Sequence, residues 1–179
     1  MSTVRFLVAL GTAGLLAACS SNEALDPAAT CHVGVYQTNA GAIIDIAPVA
    51  GADLRWRALD GRVGRISQGQ DGIWSGTMGW TDQSHPARFD LGECGTTQLT
   101  VEGLDGFDGV ARRVPLDVTE TEFESDGLTL AGRLVMPQGA EPAPVAIWVH
   151  GSERDSARDW AYSQRLLPAQ GVGIFVYDK

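Results

Sequence analysis

The sequence is poor in basic residues: 13 Lys and Arg stand against 22 Asp and Glu, which gives a formal net charge of −9 at pH 7. No nucleic-acid partner is therefore expected, because binding to phosphate backbones needs clustered positive charge. Internal repeats and low-complexity stretches are also lacking. With 44% hydrophobic residues, the 179-residue chain has the composition of one or two small globular domains rather than of a disordered tail.

The apolar run at the N-terminus is too short to cross a bilayer as a helix. It covers 6–16, eleven residues, whereas a spanning helix needs about 20. Arg5 precedes the run and small residues follow it, which is the pattern of an export signal. Its end, Leu16-Ala17-Ala18-Cys19, resembles the bacterial lipobox. The resemblance implies a lipoprotein signal peptide over 1–18, a lipid on Cys19 and a tether over 19–31.

Lipid attachment at Cys19 makes the membrane an expected partner. Several acyl chains hold a protein stably in a bilayer, because each buried CH₂ contributes about 0.8 kcal/mol. Ser20 and Ser21 stand where lipobox proteins of the inner membrane carry a retaining aspartate. We therefore expect an exported protein that is lipid-anchored in the bacterial envelope, in the outer membrane and facing the periplasm. The alternative is an ordinary secretory peptide in which Cys19 carries no lipid.

Cysteine and histidine are scarce, with three of each. In an oxidising compartment Cys31 and Cys94 are candidates for a structural disulfide, which would stabilise the fold by about 4 kcal/mol in the chain-entropy account. Two buried free thiols are the alternative. The separation of these cysteines along the chain, with His32 and His85 added, does not match the ligand spacing of a zinc site. The sequence predicts no metal site and no cofactor.

Residues 32–118 have the pattern of an all-β module. Turn dipeptides separate short apolar segments, and Asp60-Gly61 can supply the positive φ of a tight hairpin turn. Seven segments of four to six residues have strand-like composition: 33–37, 42–47, 54–59, 63–67, 73–77, 87–91 and 98–101. Their spacing predicts a β-sandwich or a β-barrel.

Trp56, Trp74 and Trp80 all lie in this β module. Exposed aromatic side chains on a β surface are a common means of holding sugars, so these residues suggest a ligand-stacking surface. A module of this size also needs large side chains in its core. We expect at least two of the three tryptophans to be structural.

The segment 119–179 has longer strand patterns and a helix signal. Asp126-Gly127 predicts the turn of a two-stranded hairpin over 122–136. The run 145–149 is uniformly apolar and rich in β-branched residues, as expected of a strand that is covered on both faces.

A helix is predicted to follow that run. Asp155 or Ser156 can cap its N-terminus, and Pro168 closes its last turn. The apolar run 172–177 then predicts another strand. A strand, a helix and a strand in this order form a right-handed parallel crossover.

This part of the chain resembles the opening of α/β-hydrolase-fold serine hydrolases, of the subgroup related to dienelactone hydrolases and prolyl-oligopeptidase-type peptidases. The resemblance rests on four segments: 128–137, 145–152, 164–167 and 172–179. In that family a His-Gly pair after the third strand begins the oxyanion loop. The resemblance implies that the Ser152 amide would donate to the oxyanion of an acyl-transfer intermediate, with a small-molecule or peptide acyl substrate. The implied oxyanion loop is His150, Gly151, Ser152 and Glu153.

The nucleophile that this family requires is missing. No serine has glycine at both the second position before it and the second position after it, so there is no Gly-x-Ser-x-Gly elbow. We expect no catalytic residue here: the chain would be the N-terminal fragment of a lipid-anchored serine hydrolase, inactive by itself. The expected fold is a small all-β module followed by an incomplete α/β-hydrolase domain, with its first strands, oxyanion loop, first helix and next parallel strand.

A second function class stays open. In it the chain is a non-enzymatic envelope lipoprotein, and the β module of 32–118 binds a ligand or a partner protein. The tryptophan-bearing surface would then be the ligand face. This alternative predicts that the β module folds without the segment that follows it.

Overall fold

The structure is a computed structural model that describes residues 26–49, 51–139, 142–149, 151–152, 156–160 and 162–178. A four-residue helix, α1 (Pro27–Thr30), precedes eight antiparallel strands that form a closed barrel. Neighbours in sequence pair throughout, and the first strand pairs with the eighth to close the barrel. The strands are β1 Gly34–Thr38, β2 Ile43–Pro48, β3 Leu54–Ala58, β4 Val63–Gln68, β5 Trp74–Met78, β6 Ser84–Asp90, β7 Gln98–Glu102 and β8 Gly109–Arg113.

The barrel forms because its strands place alternate side chains inside, as the two-residue period of a strand requires. In β3, Leu54, Trp56 and Ala58 are buried, whereas the two arginines between them are only partly buried. The predicted turn at Asp60-Gly61 joins β3 to β4, with Gly61 at φ +92°. Local sequence chemistry and tertiary packing therefore agree in this hairpin.

The main hydrophobic core fills the barrel. Trp56 and Phe89 lie at its centre, with their ring centroids 5.9 Å apart. A Cβ atom at Gly64 would collide with the Trp56 indole, so this glycine makes room for the largest core side chain. Aliphatic side chains surround the two rings: Ile44, Ile46, Leu54, Ile66, Val101 and Leu104.

Seven barrel strands coincide with the predicted segments to within three residues at each end, whereas β8 was not predicted. Its sequence carries little apolar signal, since Ala111 is buried but Val110 is exposed. Ala111 pairs with Thr38 of β1 and with Leu99 of β7. Tertiary pairing on both sides, rather than a local pattern, therefore fixes the strand that closes the barrel.

A small second sheet of four strands follows the barrel: β9 Leu116–Ser125, β10 Leu128–Pro137, β11 Val145–Trp148 and β12 Gly173–Tyr177. They lie in the order β11-β12-β10-β9. Asp126 and Gly127, at φ +50° and +78°, form the predicted primed turn between β9 and β10. β11 and β12 run parallel, which confirms the predicted pairing of the two apolar runs.

Short helical pieces connect β11 to β12: α2 Ala157–Trp160, α3 Ser163–Leu166 and a 3-10 turn at Pro168–Gln170. The Ser156 hydroxyl accepts a hydrogen bond from the Arg158 N–H at 3.2 Å, which caps the start of α2. The helix predicted as one element is thus divided into short pieces. Among the described residues there is no helix long and apolar enough to cross a membrane.

The α/β-hydrolase part of the expected fold, and the family assignment with it, is wrong. The described residues are mostly β-strand, an eight-stranded antiparallel barrel dominates them, and helices are few. Parallel strands of an α/β domain are covered by helices on both faces, whereas Val145 and Ile147 of β11 are exposed. One strand–helix–strand unit has the same local pattern in many folds, so it does not specify a family.

The barrel packs directly against the helical pieces of the second sheet. The Arg57 guanidinium lies 3.5 Å from the centroid of the Tyr162 ring. The fully buried Asp45 carboxylate accepts hydrogen bonds from Nε and Nη2 of Arg165, the latter at 3.1 Å. Apolar side chains from both parts surround these contacts: Val35, Ile43, Val114, Leu116, Leu166 and Ala169.

Candidate functional site

The predicted oxyanion loop is only partly described. Gly151 and Ser152 are exposed residues after β11, and His150 and Glu153 lie outside the described residues, as does the predicted lipid-bearing Cys19. Their roles therefore stay predictions without a geometry.

The fold brings Cys31 and Cys94 together as a disulfide, with their Cα atoms 5.5 Å apart. Cys31 directly follows α1, and Cys94 lies in the turn between β6 and β7. The bond therefore links the end of the N-terminal helix to the turn between β6 and β7.

The three tryptophans of the barrel divide as predicted, with two of them structural. Trp56 and Trp74 are buried in the barrel core. Trp80 is different: its side chain is 75% exposed. This tryptophan is therefore available for contact with a ligand.

Trp80 lies in the turn between β5 and β6, and hydrogen bonds fix the backbone of this turn. The Gly79 N–H donates to the Val63 carbonyl at 2.7 Å, and the Thr81 N–H and hydroxyl both donate to the Met78 carbonyl, at 3.1 and 2.6 Å. The Arg55 guanidinium lies 5.5 Å from the centroid of the Trp80 ring. The backbone of the turn is therefore fixed, and one arginine lies near the exposed ring.

A groove of about 360 Å³ lies beside Trp80. Six of the ten residues that line it have polar side chains, although more of the lining surface is apolar than polar, and Trp80 is its aromatic element. We name it the Trp80 groove; its lining includes Asp53, Arg65, Ser67, Thr77, Trp80 and Asp82.

A hydrogen-bonded network fixes the polar part of the Trp80 groove. Asp53 accepts from Arg65 Nε at 2.7 Å and from the Ser67 hydroxyl at 2.6 Å. Arg65 Nη2 also pairs with this carboxylate. A carboxylate has about four lone-pair sites, so roughly one site of Asp53 is left for a ligand. The Arg65 side chain is about half exposed and keeps donors that face solvent. The groove thus combines an aromatic face with oriented donors and acceptors.

Sequence reasoning named Trp80 but not the polar residues around it. Arg65 and Ser67 alternate along β4 and therefore point outward together, as the period of a strand predicts. Asp53 precedes β3, the neighbour of β4, so strand pairing brings it beside them. A usable signal was therefore present, but only once the register of β3 and β4 was known.

A second cavity, of about 500 Å³, lies where the barrel meets the second sheet. Three arginines line it, and each of them has a hydrogen-bond partner within the protein. Arg113 donates to the Tyr36 hydroxyl, Arg133 donates to Glu120 and Arg165 donates to Asp45. The hydrogen bond from Arg133, with another from Arg158, lowers the pKa of Glu120. This cavity is therefore held by structural ion pairs rather than lined with unsatisfied charge.

The described residues contain no catalytic dyad of serine and histidine. The Ser67 hydroxyl donates to Asp53, and the Ser156 hydroxyl donates to Asp178. A nucleophilic serine requires a base within hydrogen-bond distance of its hydroxyl, and among the described residues no hydrogen bond joins a serine hydroxyl to a histidine ring.

Comparison with protein-family models, with curated proteins and with solved structures finds no match to this chain. No relative therefore supports the resemblance to α/β-hydrolases.

Proposed function

We propose that this protein is a non-enzymatic, lipid-anchored protein of the bacterial envelope whose barrel binds a carbohydrate in the Trp80 groove. The observation that carries the proposal is the exposure of Trp80, 75%, beside a fixed polar network, whereas Trp56 and Trp74 are buried. A large aromatic ring left in water on a rigid turn favours a ligand-contact role.

The chemistry of the groove suits a sugar ring. An indole face packs against the apolar C–H face of a pyranose, while hydroxyl groups at the ring edge need donors and acceptors of fixed direction. Asp53 supplies acceptors and Arg65 supplies donors within the same groove. A ligand with one apolar face and a polar edge can contact both the Trp80 ring and these polar side chains.

The net charge of the protein indicates which class of glycan it can bind. The net charge of −9 repels polyanions, so a neutral glycan is favoured over an acidic one. Chitotetraose, a soluble β-1,4-linked oligomer of N-acetylglucosamine, is the probe that represents this class.

Calorimetric titration tests the proposal. The whole chain, with Cys19→Ser, is titrated with chitotetraose and separately with maltotetraose, in a zwitterionic detergent without a sugar headgroup. We expect heat of binding with chitotetraose and a loss of about 30-fold in affinity for Trp80→Ala, as for tryptophan residues that dominate interfaces.

Leu128→Ala is the matched control, because Leu128 is an exposed apolar residue on the second sheet, outside the groove. It should bind as the unaltered protein does. Equal binding by Trp80→Ala, or no binding of either tetrasaccharide, would contradict the proposed function.

A further inference from the structure

We propose that the reduced form of this protein binds a thiophilic metal ion, Zn²⁺, through Cys31, His32 and Cys94. The sulfur atoms of the two cysteines and a ring nitrogen of His32 all lie within 4.8 Å of one another. The spacing of these residues along the sequence did not predict a metal site, because Cys31 and Cys94 become neighbours only when the barrel closes. The inference is independent of carbohydrate binding in the Trp80 groove.

His32 provides the observation that points to a ligand. Its side chain is only 6% exposed, and no described residue forms a hydrogen bond with its ring nitrogens. Its ring meets the edge of Trp74, with the centroids 6.0 Å apart, and lines a cavity of about 580 Å³. The His32 imidazole thus lies beside both sulfur atoms and lines the same cavity as Cys94, which is the placement a metal ligand needs.

The backbone around the two cysteines allows the sulfur atoms to separate. Cys31 lies at the end of α1 and Cys94 in the turn between β6 and β7, so neither belongs to a barrel strand. In a tetrahedral site with Zn–S bonds of about 2.3 Å the sulfurs stand roughly 3.8 Å apart. Side-chain rotation of two turn residues provides this separation without a change in barrel pairing.

A fourth ligand is available at the same place. The cavity that His32 lines also reaches Cys94 and Glu93. Either a water molecule or the Glu93 carboxylate can complete a four-coordinate site. Three protein ligands with one exchangeable position is an arrangement that zinc commonly adopts.

The redox step balances with a dithiol as the reductant. The dithiol gives two electrons and two protons to the Cys31–Cys94 bond and itself becomes a disulfide; the S–S bond breaks and two thiols form. Zn²⁺ then displaces the two thiol protons and forms two Zn–S bonds and one Zn–N bond. Cys94 is exposed, so its sulfur can be attacked by a reductant from solvent.

Co²⁺ is the probe for this site, because tetrahedral thiolate coordination gives charge-transfer bands in the near ultraviolet and ligand-field bands in the visible. The whole chain with Cys19→Ser is used, so that Cys31 and Cys94 are its only thiols. We expect one Co²⁺ per reduced chain, displaced by Zn²⁺, and no thiolate bands from the oxidised protein.

His32→Ala should weaken Co²⁺ binding to the reduced protein by at least about tenfold and shift the visible bands, since even outer-shell changes cost this much. His85→Ala is the matched control and should leave both unchanged, because His85 packs edge-to-face against Trp56 and is not part of the cluster. Near-ultraviolet circular dichroism reports whether the reduced protein stays folded.

Several results would overturn the proposal. They are the absence of thiolate bands in the reduced protein, equal binding by the reduced and oxidised forms, and an unchanged affinity and spectrum in His32→Ala. Unfolding of the barrel on reduction alone would also overturn it, because no folded dithiol site would then exist.

Discussion

The ion pair between Asp45 and Arg165 joins the barrel to the second sheet, and its loss should destabilise the whole protein. Asp45 is fully buried on β2, and Arg165 on α3 supplies both Nε and Nη2 to its carboxylate. Arg165→Met removes the guanidinium and leaves a side chain of similar length. The buried carboxylate then loses its partner.

The expected magnitude follows from the burial of the pair. The Asp45 side chain is 1% exposed and that of Arg165 is 23% exposed, so solvent screens the interaction only weakly. Breaking a buried pair by removing one partner costs about 3–5 kcal/mol. Arg55 lies close enough to interact with the Asp45 charge, which favours the lower end, about 3 kcal/mol. The double variant Asp45→Asn with Arg165→Met should lose less than Arg165→Met alone, because it leaves no buried charge.

Urea unfolding followed by tryptophan fluorescence measures these free energies. Arg88→Met is the matched control, because Arg88 pairs with Asp71 at the surface, where both side chains are at least half exposed. Its cost should stay below about 1 kcal/mol. A cost for Arg165→Met no larger than that of Arg88→Met would refute the assigned role of the buried pair.

Further predictions concern the disulfide, pH, self-association and catalysis. Cys31→Ser with Cys94→Ser should lower the free energy of unfolding by about 4 kcal/mol, because the bond closes a loop over a separation of 63 residues; urea unfolding measures this loss. Burial lowers the pKa of both His32 and His85. The unfolded chain therefore binds these protons first, so stability should fall as pH drops below about 6.5, and this fall should shrink in a variant with both histidines changed to Gln. Ile147→Lys should reduce self-association in analytical ultracentrifugation, because Ile147 is 66% exposed on a strand at the sheet edge. Finally, a fluorophosphonate probe should label no serine of the chain; stoichiometric labelling would contradict a non-enzymatic role.

Much of the barrel could be predicted from local patterns. Strands with alternating burial, such as β3, and turns with Asp-Gly pairs have a signal that lies within a few residues. The closing strand β8 has no such signal. Its position is fixed by pairing with β1 and β7 rather than by the pattern of its own side chains. Closure of the sheet into a barrel could not be predicted from the sequence either, since the strands of a sandwich and of a barrel have the same length and spacing.

The candidate site shows the same limit. Trp56 and Trp80 are alike in sequence terms, and only the fold tells that one is in the core and the other is on a turn. The contact between His32 and the two cysteines arises from pairing across the closed barrel. The family resemblance failed for the opposite reason: a parallel crossover was read correctly, but so short a unit does not identify a family.

The most direct test of the account is to map chitotetraose onto the protein by NMR. In ¹⁵N-labelled chain with Cys19→Ser, the indole N–H resonance of Trp80 and the backbone resonances of Ser67 and Thr77 should shift as the tetrasaccharide is added. The indole resonances of Trp56 and Trp74 should stay in place, because both rings are buried. Unchanged Trp80 resonances at millimolar tetrasaccharide, or shifts confined to another surface, would contradict the Trp80 groove as the ligand site.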